Sequence, residues 1–314
     1  MTGSWPAGVR GIGIHTGEEF EVSLEAARSQ PATEAPISFV CTFEANDFEA
    51  PALWTRLSAT ARSTSIVLRG PSRLRFELKT IEHLLAAAHA AGFPSLRLRV
   101  RPVRERSLES APLEIPVLDG SASGWMDMMR DSLMVEEWRP VWLPVRSYVL
   151  EDGDKSVIVS PLEPLEPLRT EYACSVDFGA GLYQQKSFTF DWSKPLETFE
   201  AFAREIAPAR TFGFRHELES LAARNLARGG SLANAILIDE GRVVNVGGLR
   251  IPDELAAHKL LDAVGDFALL GAPILGRVTV HKAGHSMHLR AVEEAVRTGA
   301  LVKARLYRGQ TLVR

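Results

Sequence analysis

Two stretches far apart in the chain are written in the same grammar, and this self-similarity constrains the fold more than any other feature. The first half carries EHLLAAA followed by GFPSLRLRV, and the second carries HKLLDAV followed by GAPILGRVTV. Each reads as a helix that opens at a histidine, stops at Gly-x-Pro and gives way to a strand containing an arginine. The stop has a physical basis, since glycine ends a helix readily and proline cannot continue one. A supersecondary unit repeated in this way points to two halves of one architecture, with both histidine helices available to a site between them.

The remaining pattern fits that plan. Residues 18–28, 36–42, 63–68 and 74–78 alternate like half-buried strands, and 80–91 reads as a helix with Thr80 as N-cap and Gly92 as stop, followed by a strand at 95–101. After the turn at Asp119-Gly120 comes a Ser-started helix ending near Met134. The Pro-containing EEWRPVWLP then reads as a connector between domains. The second half predicts strands near 142–149, 155–160, 170–178 and 186–190, helices at about 195–206 and 253–270, and an extended SPLEPLEPL. Between the last two helices lie a turn, an amphipathic helix closed by Gly229-Gly230, and a buried strand at 234–239. The expectation is an α+β protein of two similar two-layer sandwiches, 1–134 and 135–314.

Composition excludes several functions. With 314 residues, 46% of them apolar, the chain has ample material for a core. Its 36 basic and 39 acidic side chains leave a formal charge of −3, no electrostatic basis for binding nucleic acid. Cys41 and Cys174 form no CxxC pattern, so neither a disulfide framework nor a thiolate metal site is expected. The first residues lack the basic and apolar regions of an export signal. The longest apolar stretches are about half the ~20 residues that span a bilayer. A cytoplasmic protein is expected.

The chemistry is concentrated on the two histidine helices. His258, Asp262 and Asp266 are four apart and share a helical face. On its own that pattern is also what a solvated helix face looks like. Glu82-His83 opens the other helix beside an apolar run, where charges have no packing role, although an acid at a helix start is also favoured by the dipole. Together His83, His258 and Asp262 have the composition of an open catalytic zinc site, which leaves one coordination position for water, and Glu82 is the natural base for that water. In HKAGHSMH, His285 follows a glycine in a strand-to-helix turn and can project into a cleft, whereas His281 and His288 are expected at the surface.

Eight blocks in order, GIGIHTG (11–17), TIEHLLAA (80–87), EIPVLDGSA (114–122), ARTFGF (209–214), GGSLANAI (229–236), HKLLDAVGD (258–266), PILGRV (273–278) and KAGH (282–285), resemble the signatures of the zinc-dependent UDP-3-O-acyl-N-acetylglucosamine deacetylases of lipid A biosynthesis. The resemblance implies His83, His258 and Asp262 as zinc ligands, with iron(II) suited to the same set. It further implies Glu82 as general base, His285 as the acid that protonates the departing amine, and Asp266 as the carboxylate that orients it. Lys259 and Thr211 would lie near the substrate carbonyl and developing oxyanion. An insert in each half is implied, the second at about 209–246, where Phe212, Phe214, Leu218, Leu232, Ala235 and Leu237 would line a passage for the acyl chain. An ordinary helix-on-strand core would use the same six residues. The implied partner is a UDP-linked acylated amino sugar, met by a monomer with at most peripheral membrane contact.

The chain departs from the family pattern at Ala233, at Ala257, in SMHL after His285, in VNVGGLR and in GAGLYQQ. All lie outside the metal and acid-base set, so they bear on substrate recognition. A paralogue acting on another N-acetylated amino sugar, or a silent sugar-nucleotide binding protein, are the competing readings. A silent protein would have no physical need for Glu82 or His285.

Overall fold

The computed structural model describes residues 8–25, 36–43, 46–58, 62–69, 75–93, 95–104, 112–133, 138–163, 168–179, 181–307 and 311–313. The first half runs β1 (Val9–Ile12), β2 (Glu19–Glu25), β3 (Ile37–Phe43), β4 (Asn46–Pro51), β5 (Ile66–Arg69), β6 (Arg75–Lys79), α1 (Glu82–Ala90), β7 (Leu96–Pro102), β8 (Leu113–Glu114) and α2 (Ser123–Met129). The second runs β9 (Trp138–Pro144), β10 (Tyr148–Asp152), β11 (Lys155–Ser160), β12 (Arg169–Asp177), β13 (Tyr183–Asp191), α3 (Pro195–Glu205), β14 (Phe212–Phe214), α4 (Leu218–Ala223), β15 (Ile236–Asp239), β16 (Arg242–Val243), α5 (Glu254–Phe267), β17 (Gly276–His281), α6 (His285–Arg297), β18 (Leu301–Tyr307) and β19 (Thr311–Val313). The protein is α+β, as its patterning implies.

The two large sheets share a sequence of pairings. One contains the order β1-β2-β7-β3-β4 and continues through β5, β6 and β8; the other is β10-β11-β17-β12-β13. In both, the central strand arrives last, after a histidine helix, and runs parallel to one neighbour (β7 to β3, β17 to β12) while every other pairing in the set is antiparallel. Strict alternation drives this: β2 and β12 bury every second residue, so each sheet offers one apolar face. Those faces and the helices bury a single continuous apolar cluster that reaches from Phe20 to Leu306.

Helix α1 is buried along all nine of its residues and packs on α5. Gly265 makes that crossing possible, because a Cβ there would lie 2.1 Å from the Glu82 carbonyl oxygen. The backbones therefore meet at the position where the metal-type residues emerge.

Several local expectations are corrected. Thr80 does not cap α1. It adopts a left-handed φ of 60° and gives its hydroxyl to Glu114 instead. The strand expected at 63–68 starts only at Ile66, and the span 142–149 is divided between β9 and β10, which belong to different sheets. EEWRPVWLP supplies β9, an edge strand paired with β18, a position that tolerates Pro140 and Pro144; Glu136 and Glu137 lie outside the described residues. The helix expected up to Gly229 is only α4, since Asn225 and Ala227 turn left-handed just beyond it. Pro94, Met134 and most of EPLEP (163–167) lie outside the described residues, as do the ends of the strands expected at 18–28 and 74–78. No helix among the described residues is long and apolar enough to cross a membrane.

Candidate active site

The site is held in place by buried carboxylates that serve structure. Glu114, at the end of β8, is fully buried and accepts bonds from the His15 and Thr16 backbone N–H groups, the Thr16 hydroxyl and the Thr80 hydroxyl. One side chain thereby ties the GIGIHTG loop to the start of α1. Glu254 opens α5 and receives Arg210 in a two-pronged ion pair at 2.8 and 3.1 Å, which fixes the start of the β14–β16 segment against α5. The turn at Gly120 accepts the Thr211 N–H at 2.7 Å and has a φ of 89°; a Cβ there would strike the Asn234 carbonyl oxygen. Gly229 likewise sits against Gly13, leaving no room for a side chain.

Between α1 and α5, ligand atoms of His83, His258 and Asp262 lie within 4.8 Å of one another, and all three residues are buried. The Nε2 atoms of His83 and His258 stand 3.6 and 3.4 Å from the same Asp262 oxygen, Oδ1. His258 Nδ1 faces the Ala209 carbonyl at 3.2 Å, which puts its hydrogen on Nδ1 and leaves the Nε2 lone pair directed at the cluster. Burial holds His258 down at about 3, so it stays a neutral donor. Burial acts against ionisation of Asp262, yet His258, Lys259 and His285 carry its carboxyl well below the usual range. Two imidazoles and an ionised carboxylate converging on one point fit a divalent cation.

Beside this cluster lies an acid-base set. Glu82 Oε2 accepts the Thr64 N–H at 3.0 Å, while Oε1 stands 3.8 Å from His285 Nε2. Burial pushes the Glu82 carboxyl up to about 7, only partly offset by His285 and His83. His285 responds in the opposite direction: burial disfavours its charge, but Asp266, bonded to its Nδ1 at 2.8 Å, and Asp262 raise it to about 10. Asp266 is itself buried, and His285 and His288 bring it down to about 2 against that burial. Lys259 Nζ bonds Asp262 Oδ2 at 2.7 Å and stands 5.4 Å from the centre of the Phe212 ring.

The ligand cluster opens onto a cavity of about 660 Å³ whose lining also includes Glu82, Thr211, Lys259 and His285, with Asp266 and Thr64 buried behind it. Phe212, Leu218, Leu232, Ala235 and Leu237 line it as well, whereas Phe214 does not and packs against Phe178, with ring centres 5.1 Å apart. Leu218 and Leu232 are 42% and 54% exposed, while Ile236 and Ile238 of β15 are buried, so the apolar wall is not simply core. His281 is half-buried and bonded to Ser175. His288 is not at the surface. It is fully buried, with Nδ1 2.7 Å from Asp266 Oδ2. Thr64 was also not singled out by sequence pattern, although it bridges Glu82 and Asp266. The signal that could have found it is the polar run Ser63-Thr64-Ser65, all of it buried.

A three-donor cation cluster, a carboxylate poised near neutrality and a cationic imidazole facing it define a site for metal-assisted hydrolysis. Residues 4–297 match the family of UDP-3-O-acyl N-acetylglycosamine deacetylase. Curated relatives named UDP-3-O-acyl-N-acetylglucosamine deacetylase include one from Myxococcus xanthus, 34% identical over 92% of this chain and 84% of that protein. Another from Syntrophotalea carbinolica is 36% identical over 92% and 85%, and one from Helicobacter hepaticus is 33% identical over 88% and 83%. The chain belongs to this deacetylase family, the LpxC proteins.

Proposed function

We propose that the protein hydrolyses the N-acetyl amide of UDP-3-O-(3-hydroxyacyl)-N-acetylglucosamine, releasing acetate and the free 2-amine, as a cytoplasmic monomeric enzyme of lipid A biosynthesis. The observation that carries this reading is the facing pair: Glu82 Oε1 and His285 Nε2 are 3.8 Å apart beside the ligand cluster. That places a base and an acid side by side, both within reach of one amide held against the cluster.

His83, His258 and Asp262 hold the cation. Zinc there, or iron(II) with the same donors, supplies a Lewis acid that polarises the acetyl carbonyl and makes water nucleophilic at neutral pH. Glu82 takes a proton from the attacking water as the new C–O bond forms. His285 gives the proton on Nε2 to the amide nitrogen as the C–N bond breaks, and Asp266 keeps its ring aimed through Nδ1. The Lys259 ammonium and the Thr211 hydroxyl stabilise negative charge on the former carbonyl oxygen. Phe212, Leu218, Leu232, Ala235 and Leu237 receive the acyl chain, with Phe214 supporting them from behind.

The matching pairings of the two large sheets support a duplicated plan, with halves 1–134 and 135–314, the second carrying the 209–246 insert. Each half lends one helix to the centre. The test is acetate release from the UDP-linked substrate by zinc-loaded protein. Tight metal binding without acetate release would overturn the assignment.

A further inference from the structure

We propose that His288 is a positioning residue for proton delivery: it fixes the Asp266 carboxylate that aims His285. The proposal rests on the reading of His285 as the proton donor. His285 and His288 are three residues apart in the first turn of α6, so both side chains leave the same face of the helix. Both reach one oxygen of α5, with His285 Nδ1 at 2.8 Å and His288 Nδ1 at 2.7 Å from Asp266 Oδ2. The other oxygen, Oδ1, accepts the Thr64 hydroxyl. The carboxylate is thus held from three directions, and only one of its partners faces the cavity.

The placement of His288 is hard to explain by packing. Its side chain is fully buried, yet Nε2 has no hydrogen-bond partner. Asp266 can only accept, so His288 donates to it from Nδ1, and Nε2 is left unmatched. A leucine or methionine would fill an apolar position without burying an unmatched nitrogen. What the imidazole adds is a donor whose direction is set by a rigid ring on a buried helix face. Removing it leaves Asp266 held by Thr64 and His285 alone, so the carboxylate can shift toward the lost partner and the His285 ring shifts with it. A displacement of about 1 Å at a reacting group is enough to lose on the order of a hundredfold in rate.

The experiment measures steady-state kinetics and bound metal for wild type, His288→Leu, His288→Asn, His285→Ala and the double variant His285→Ala/His288→Leu. His288→Leu is expected to lower kcat by about 10- to 100-fold while KM and metal content stay within about twofold. His288→Asn, whose amide N–H takes the place of Nδ1–H, is expected to recover kcat to within about fivefold of wild type. In the His285→Ala background, His288→Leu is expected to change kcat by no more than about twofold, since its effect passes through His285. If His288→Leu does not fold, His288→Met is used for the same comparisons. Undiminished kcat in the leucine or methionine variant, equal loss in the asparagine variant, or a full additional loss without His285 would each overturn the proposal. Unchanged kcat in His285→Ala would instead overturn the proton-donor reading on which it rests.

Discussion

Glu82 and His89 lie on the same helix, are both buried, and show the two uses to which burial puts a titratable group. Burial lifts Glu82 to about 7, where a carboxylate can accept a proton and return it near neutral pH. Glu82→Ala should therefore keep one equivalent of metal, since His83, His258 and Asp262 are untouched, and lose about 10²- to 10⁴-fold in kcat; metal analysis and turnover on one preparation check both halves of that statement. His89 does no chemistry. Its two ring nitrogens have no partners and it is surrounded by Phe93, Tyr172, Phe190 and Trp192, so burial lowers it to about 3. The folded protein keeps His89 neutral while the unfolded chain binds a proton below about 6.5. The stability this provides is complete above that pH and is lost as pH falls toward 3. His89→Phe should flatten the dependence of unfolding free energy on pH between 6 and 4 by roughly 1.4 kcal/mol per pH unit, read from urea midpoints. An unaltered slope would show that His89 takes no part. At this scale His258 and Asp262 were legible because helical spacing dictates which side chains share a face, and His83 because it opens an apolar helix where a polar group has no packing role. Thr64 and His288 were not, because nothing local distinguishes a buried hydroxyl or imidazole from an exposed one when its partner is some twenty or more residues away.

Among the elements, the crossing of α1 and α5 decides whether the site exists. Gly265 is the contact point, and a methyl group there would fall on the Glu82 carbonyl oxygen, a backbone atom that cannot swing aside. Gly265→Ala must push the helices apart, moving Glu82 and His83 away from His258 and Asp262. The expected result is a loss of about 2 kcal/mol or more in stability and at least a hundredfold in turnover. An alanine variant with wild-type kcat and melting temperature would show that the helices have slack the geometry denies. Strands such as β2, β11 and β12 were legible, since alternation of apolar and polar residues survives any tertiary context. Boundaries were less so. Thr80 has the chemistry of an N-cap, but the buried Glu114 carboxylate claims its hydroxyl. The β9–β10 break falls inside the span 142–149 read as one strand, and the pairing of β9 with β18 and of β10 with β11 separates the two.

At the scale of the whole molecule, the two large sheets repeat one order of strands, and their cores merge into a single apolar cluster. That shared order is in keeping with the repeated helix-and-strand stretches, whereas the merged core was not legible, since likeness between two stretches is silent on how the sheets meet. The ligand cluster spans this junction, with His83 on α1 and His258 and Asp262 on α5. A cation bound there links the two helices and is absent from the unfolded chain, so its binding energy is added to folding. Without it, an ionised Asp262 stays buried against the Lys259 ammonium at 2.7 Å and the His285 imidazolium at 3.8 Å. At a free zinc concentration about 100 times Kd the contribution is about 2.7 kcal/mol, which for a chain of this size corresponds to roughly 4 °C in melting temperature. Chelation followed by gel filtration should therefore abolish acetate release and lower the melting temperature by that amount. One equivalent of zinc should restore both. His258→Ala should reproduce the lower melting temperature and respond little to added zinc, because two ligands remain of three. Equal melting temperatures before and after chelation, with activity retained, would mean that the cluster binds no ion that matters to this fold or to its reaction.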